Sequence, residues 1–175
     1  MQKHRKSYRL SRWDYRNPGY YFVTICTTNR RQYFGEIIHG KMFLNTVGGM
    51  IKCFWTTIPD HFDNVSIDIF IIMPNHIHGI IHIHRRDVAW QRPYDNRKNI
   101  KFLNISPKPK SLPAIIRSYK SIASKTIHQK YPNINFTWQP RYYDHIIRNE
   151  KSLNQIRQYI KDNPAKWETD EYYSK

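Results

Sequence analysis

Four of the nine histidines fall between positions 76 and 84, in the segment HIHGIIHIH. Its first three residues, His76-Ile77-His78, carry the sharpest chemical signal in the chain. On a β-strand, residues i and i+2 point to the same face. Two imidazoles placed that way can share a divalent ion, but two ligands bind a metal weakly, so a third must come from elsewhere. His82 and His84 repeat the spacing on the same side. At the strand rise, His82 stands about 20 Å from His76 and reads as an outer continuation of the strand. Taken alone, either pair also fits a hydrogen-bonded polar strand face, because so short a motif specifies little.

A second group lies some eighty residues later. Leu153, Ile156 and Ile160 form the apolar stripe of a C-terminal helix, and Tyr159 and Asn163, four apart, stack at its edge beside Ile156. A side chain there is half covered and half open. That suits a nucleophile and an oxygen ligand facing a bound strand. The plainer reading packs the Tyr159 ring at the core rim and lets Asn163-Pro164 stop the helix.

Elements must bring these groups together. The segment YYFVTICT, Tyr20 to Thr27, reads as a strand after the turn signal Asn17-Pro18-Gly19. A hairpin is expected between Arg30 and Asn45, around Gly35 and Gly40. Thr46 to Ile58 reads as a helix with Val47, Met50, Ile51 and Phe54 at helical spacing, weakened by Gly48-Gly49 and ended by Pro59. Val65 to Met73 and His76 to His84 read as strands turning at Pro74-Asn75, paired antiparallel at the sheet centre. Residues 85–111 are polar, basic and proline-bearing, and read as a flexible or partly ordered loop. A helix follows from Pro113 to Tyr131, with Ile115, Ile116, Tyr119, Ile122, Ala123 and Ile127 as its apolar stripe. Phe136 to Ile147 contains a strand, and the last helix runs from Asn149 or Glu150 to Asn163-Pro164.

The order β, hairpin, α, β, β, α, β, α resembles the ferredoxin-like plan. The fold class expected is α+β: an RRM-like antiparallel sheet, helices on one side, and a C-terminal helix carrying the tyrosine. One domain over residues 1–175 is expected, with residues 1–18 as a basic arm.

Charge names the class of partner. Lys+Arg number 29 against 13 Asp+Glu, a formal net charge of +16. Such an excess favours a polyanion. The 13 Tyr and 5 Trp suit unpaired bases, on whose faces aromatics stack while Lys and Arg track phosphates. Cys26 and Cys53 form neither a C-x-x-C pair nor a disulfide framework, which fits a reducing cytoplasm. The N-terminus lacks the apolar run of a signal peptide, and no segment approaches the roughly 20 apolar residues of a membrane helix. Neither a P-loop nor a G-x-G-x-x-G occurs.

Met73-Pro74-Asn75-His76-Ile77-His78-Gly79 resembles the His-hydrophobic-His signature of HUH endonucleases. Trp138-Gln139-Pro140-Arg141, Tyr143-Asp144-His145, Ile147-Arg148-Asn149, Tyr159-Ile160 and Asn163-Pro164, in that order, resemble the single-tyrosine transposases. The branch resembled is that of the REP-associated tyrosine transposases, over about Tyr20 to Trp167. The resemblance implies that Tyr159 is the nucleophile and that His76, His78 and Asn163 are metal ligands for Mg2+ or Mn2+, the donor set suiting Mn2+ better. It implies cleavage and strand transfer of hairpin-bearing single-stranded DNA through a 5′-phosphotyrosine link, by a monomer or homodimer acting at a bacterial-type nucleoid. Candidate DNA contacts are Arg5, Lys6, Arg9 and Arg12 in the arm, the 85–110 loop, Arg117, Lys120 and Lys125 on a helix, and Arg141 and Arg148 nearer the tyrosine. A non-catalytic single-strand-binding module of the same fold is the main rival reading. A histidine-triad hydrolase fits poorly, since position 80 is Ile.

Overall fold

The computed structural model describes residues 13–85 and 109–173. Arg5, Lys6, Arg9, Arg12 and most of the 85–111 loop lie outside the described residues. Six strands are present: β1 Gly19–Cys26, β2 Gly35–Ile38, β3 Lys41–Leu44, β4 Val65–Ile72, β5 His76–Ile83 and β6 Tyr143–Ile147. The helices are α1 Thr46–Thr56, α2 Ile58–His61, α3 Leu112–Lys130 and α4 Glu150–Asp162. Four strands form one antiparallel sheet in the order β4-β5-β1-β6, and β2 pairs with β3 in a separate hairpin. Among the four sheet strands, the first and third in chain order are central and the second and fourth are edges, which is the expected ferredoxin-like plan.

The sheet has two unlike faces, set by strand alternation. Tyr21, Val23, Ile25, Ile77, Ile81 and Ile83 point to one side and join Ile51, Trp55, Ile115, Ile116 and Tyr119 of α1 and α3 in the main core. Phe22 and Ile80 point to the other side and meet Ile147, Leu153 and Ile160 under α4. Thus α1 and α3 share one face, and the tyrosine-bearing helix packs on the opposite one. Gly79 makes the first layer tight: a Cβ there would meet Trp55 Cζ2 at 2.4 Å. Gly48 does the same in α1, where a Cβ would lie 2.0 Å from the Phe34 carbonyl oxygen. Of the glycine pair that weakens the helix signal, Gly48 is therefore a packing feature, while a side chain at Gly49 would enter open space.

Four expectations are corrected. First, β4 is an edge strand; β1, which reaches both β5 and β6, takes the centre. Second, Pro59 does not end the helical region but sits in the first turn of α2, where its missing N–H costs nothing. Third, Ile122 is 46% exposed, at the margin of the stripe that α3 buries. Fourth, the chain does not leave helical geometry at Asn163-Pro164. Asn163 keeps helical angles (φ −57°, ψ −42°), and the chain tightens into a 3-10 helix, Asn163–Thr169. Proline at the first positions of a helical turn is pre-organised for it. That extra segment buries Trp167 and carries the chain back toward β5.

Candidate active site

His76 and His78 lie on the α4 face of β5, opposite Cys26 and Thr24 of β1. Both are buried, at most 1% exposed. Their Nε2 atoms face each other at 3.0 Å. The other nitrogen of each ring is engaged: His76 Nδ1 lies 2.8 Å from Asn75 Oδ1, and His78 Nδ1 lies 2.9 Å from Thr24 Oγ1. The orientation of Asn75 is set by its amide, which donates to the carbonyls of Arg30 and Tyr172. Its Oδ1 is then an acceptor, so His76 carries its proton on Nδ1 and leaves the Nε2 lone pair bare. Such outer hydrogen bonds fix tautomer and ring orientation in metal sites.

Burial decides the charge of the pair. Desolvation, the neighbouring His78 and Arg30 hold His76 well below the usual histidine range. Desolvation alone pulls His78 down to about 3. Both rings are neutral at pH 7, the form that ligates a metal. The bare His76 Nε2 can accept a hydrogen bond from a neutral His78 protonated on Nε2, or, where the Thr24 hydroxyl donates to His78 Nδ1, both Nε2 lone pairs face the opening and can share a cation.

The Tyr159 hydroxyl reaches His78 Nε2 at 3.2 Å. Its ring stands edge-on to Phe22 at 6.1 Å, while the residue remains 41% exposed. Arg157 anchors the middle of α4 by pairing with Asp68 of β4, beside the register slip between Ile67 and Phe70. Asn149 caps the helix by accepting from Ser152 N at 2.8 Å. Desolvation, then Asp170 and Glu171, push the Tyr159 phenol up to about 12, against a hydrogen bond from Asn163 that lowers it.

Asn163 is buried beside this opening. Its Nδ2 donates to Asp170 Oδ2 at 2.8 Å, and its Oδ1 has no hydrogen-bond partner among the described residues. Asp170 is the residue that the sequence reading missed. His76, His78 and Asp170 can each offer one ligand atom, and these atoms lie within 4.8 Å of one another. Asp170 Oδ1 also accepts from Tyr172 N at 2.6 Å. The Tyr172 ring lies 4.8 Å from His76 and 5.7 Å from His78, under the Arg30 guanidinium. Arg30 also donates to the Glu171 carbonyl. No spacing rule links position 170 to a strand ninety residues earlier; only the 3-10 helix brings it there.

The predicted DNA contacts divide. Arg117 and Lys125 are exposed on α3, on the far side of the sheet from Tyr159. Lys120 turns inward and donates to the Gln139 and Pro140 carbonyls, with burial lowering its ammonium to about 8. Its role in the fold is to tie α3 to the segment before β6. Arg141 and Arg148 are exposed at the two ends of β6. His82 stacks on Tyr20 at 4.0 Å, and His84 lies 2.9 Å from Ser66 Oγ, both away from Tyr159.

The fold is thus an antiparallel ferredoxin-like sheet with two neutral histidines under a helical tyrosine. Comparison with known proteins supplies the class. A family model described as "Transposase IS200 like" matches residues 99–163, a span that includes Tyr159 and ends on Asn163. An uncharacterized protein of Haemophilus influenzae is 41% identical over 170 residues, covering 97% of this chain and 93% of the relative. The solved structure of a REP-associated tyrosine transposase bound to a REP hairpin superposes with a TM-score of 0.53 at 21% identity, over 95% of this chain and 74% of that one. The chain belongs to the IS200-like tyrosine transposases, a family of DNA-cleaving enzymes. Among the described residues, no helix is long and apolar enough to cross a membrane.

Proposed function

We propose that this transposase cuts and rejoins single-stranded DNA, with Tyr159 as nucleophile and His76 and His78 as ligands of a divalent cation. The observation that carries this reading is the 3.2 Å approach of the Tyr159 hydroxyl to His78, beside the facing Nε2 atoms. The donor set fits a cation: two neutral imidazoles with facing Nε2 atoms, the Asp170 carboxylate, and the Asn163 oxygen, which lacks a partner among the described residues. Asp170 or Asn163 completes the set, and nitrogen-with-oxygen ligation suits Mn2+ better than Mg2+. A bound cation would polarise the scissile phosphate and offset charge in the transition state.

The chain's own residues do the rest. Tyr159 attacks phosphorus; an O–P bond forms, the P–O3′ bond breaks, and the leaving 3′ oxygen gains the proton that the phenol gives up. One phosphodiester is exchanged for another, so no nucleotide triphosphate is needed, and a second 3′-hydroxyl can reverse the step. Burial first, then Asp170 and Glu171, oppose the phenolate, and a bound cation would offset part of that cost. The net charge of +16 supports a polyanionic substrate. The REP hairpin bound by the related structure supports hairpin-bearing DNA, which would place the protein at the nucleoid. Incubation with single-stranded hairpin oligonucleotides and Mn2+ or Mg2+ should yield a covalent protein–DNA adduct that vanishes in Tyr159→Phe. Equal adduct from the Phe variant would remove Tyr159 as nucleophile. Binding without any adduct from the wild type would favour the non-catalytic module.

A further inference from the structure

Helix α4 covers only part of its face of the sheet. Arg157 ties it to β4, and its apolar stripe sits over Phe22 and Ile80. Toward the other edge, β6 presents Tyr143 and His145 on that same face, opposite Thr24 and Phe22. Both are exposed, Tyr143 at 42%. Tyr143, Thr24 and His78 form one row across three strands. At ordinary strand spacing, Tyr143 stands about 10 Å from the histidine. The Phe22 ring lies between two exposed tyrosines: Tyr143 at 6.2 Å and Tyr159 at 6.1 Å, both edge-on.

Resting on the reading of Tyr159 as nucleophile, we propose that Tyr143 is a base-stacking platform. It would hold a nucleobase of the substrate strand next to the phosphate that Tyr159 attacks. A strand whose phosphate sits at His76 and His78 must pass over one flank of the site. One flank is filled by α4 and its contact with β4. On the other flank Tyr172 lies over the histidines and reaches Thr24, and beyond it stands an exposed aromatic ring backed by a buried one, with Arg141 two residues before it. Base–aromatic stacking accepts any base. Tyr143 therefore sets position and strand path, and base choice falls to other residues.

The test uses single-stranded oligonucleotides carrying 2-aminopurine, whose fluorescence is quenched on stacking, at successive positions around a mapped cut. With the wild-type protein, quenching should peak at one position adjacent to the cut. Tyr143→Ala should remove that quenching and weaken binding by roughly 5- to 100-fold, the range of a lost base stack. Tyr143→Trp should restore both, and the melting temperature should move little in either variant, because the side chain is 42% exposed and touches the core only at the Phe22 edge. Retained quenching and affinity in Tyr143→Ala overturn the platform. If Tyr159→Phe still abolishes the adduct, the nucleophile stands regardless. Failure of the wild type to form any adduct overturns both.

Discussion

Strand β5 and the residue after it carry two His-x-His pairs with the same spacing, and the structure gives them different lives. His76 and His78 are buried, neutral and nitrogen-to-nitrogen, with Asn75, Thr24, Tyr159 and the Asp170 turn around them. His82 is half-buried against Tyr20, and His84 is exposed beside Ser66. Spacing puts imidazoles on a face. The neighbours brought by other elements decide whether their lone pairs are aimed, desolvated and opposed by an acid. The lower pair lies where α4 and the 3-10 helix converge; the upper pair lies where the strand runs out toward solvent.

Breaking each pair should expose that difference. His78→Ala removes a proposed ligand and the partner of the Tyr159 hydroxyl, so adduct formation with Mn2+ should fall below detection, while His82→Ala keeps it near wild type. Gel assay of the two variants side by side checks this, and equal loss in both would mean that position on the strand counts for more than surroundings.

A smaller effect sharpens the lower pair. Asp170→Ala and Asn163→Ala should each weaken Mn2+ binding, by calorimetry. If Asn163 acts by orienting Asp170, its loss should cost on the order of 10- to 100-fold, as for outer-shell partners, and Asp170→Ala should cost more. The reverse order would make Asn163 the direct ligand. Tyr172→Ala, which uncovers both imidazoles, should speed adduct formation in time courses.

Acid should separate the pairs next. His76 and His78 are held below the ordinary histidine pKa of about 6.5. The unfolded chain takes up protons below pH 6.5 that the native pair refuses, so native stability falls with pH from there toward about 3, the value for His78. Above pH 6.5 the pair adds no slope. Urea midpoints of the metal-free protein should drop between pH 7 and 5, less so in His78→Gln. His82 is also lowered, by partial burial and then His84, so His82→Gln should flatten the curve only slightly. Smallest of all, His84→Ala should change stability by less than about 0.5 kcal/mol, as at an ordinary surface site.

The strands, the main helices and the His76–His78 face were legible in the sequence because period and turn chemistry are local. Helical spacing put Tyr159 and Asn163 side by side, but only the family resemblance singled them out from ordinary packing. What stayed hidden was non-local. That β4 is an edge follows from β1 pairing on both sides. That Lys120 serves carbonyls follows from where the chain passes before β6. Asp170 could not be found, because Asn163-Pro164 reads as a stop while proline in fact starts another helical turn.

By itself, then, the sequence determined that an HIH strand, a tyrosine helix and a large positive charge belong to one antiparallel fold. Periodicity, turn residues and net charge are properties of the chain alone. Only the tertiary structure decided that the first histidine pair is neutral and aimed, that the second is not, and that Asp170 joins the first. Desolvation and lone-pair direction depend on which atoms stand within a few ångströms, and most of those atoms arrive from distant parts of the chain.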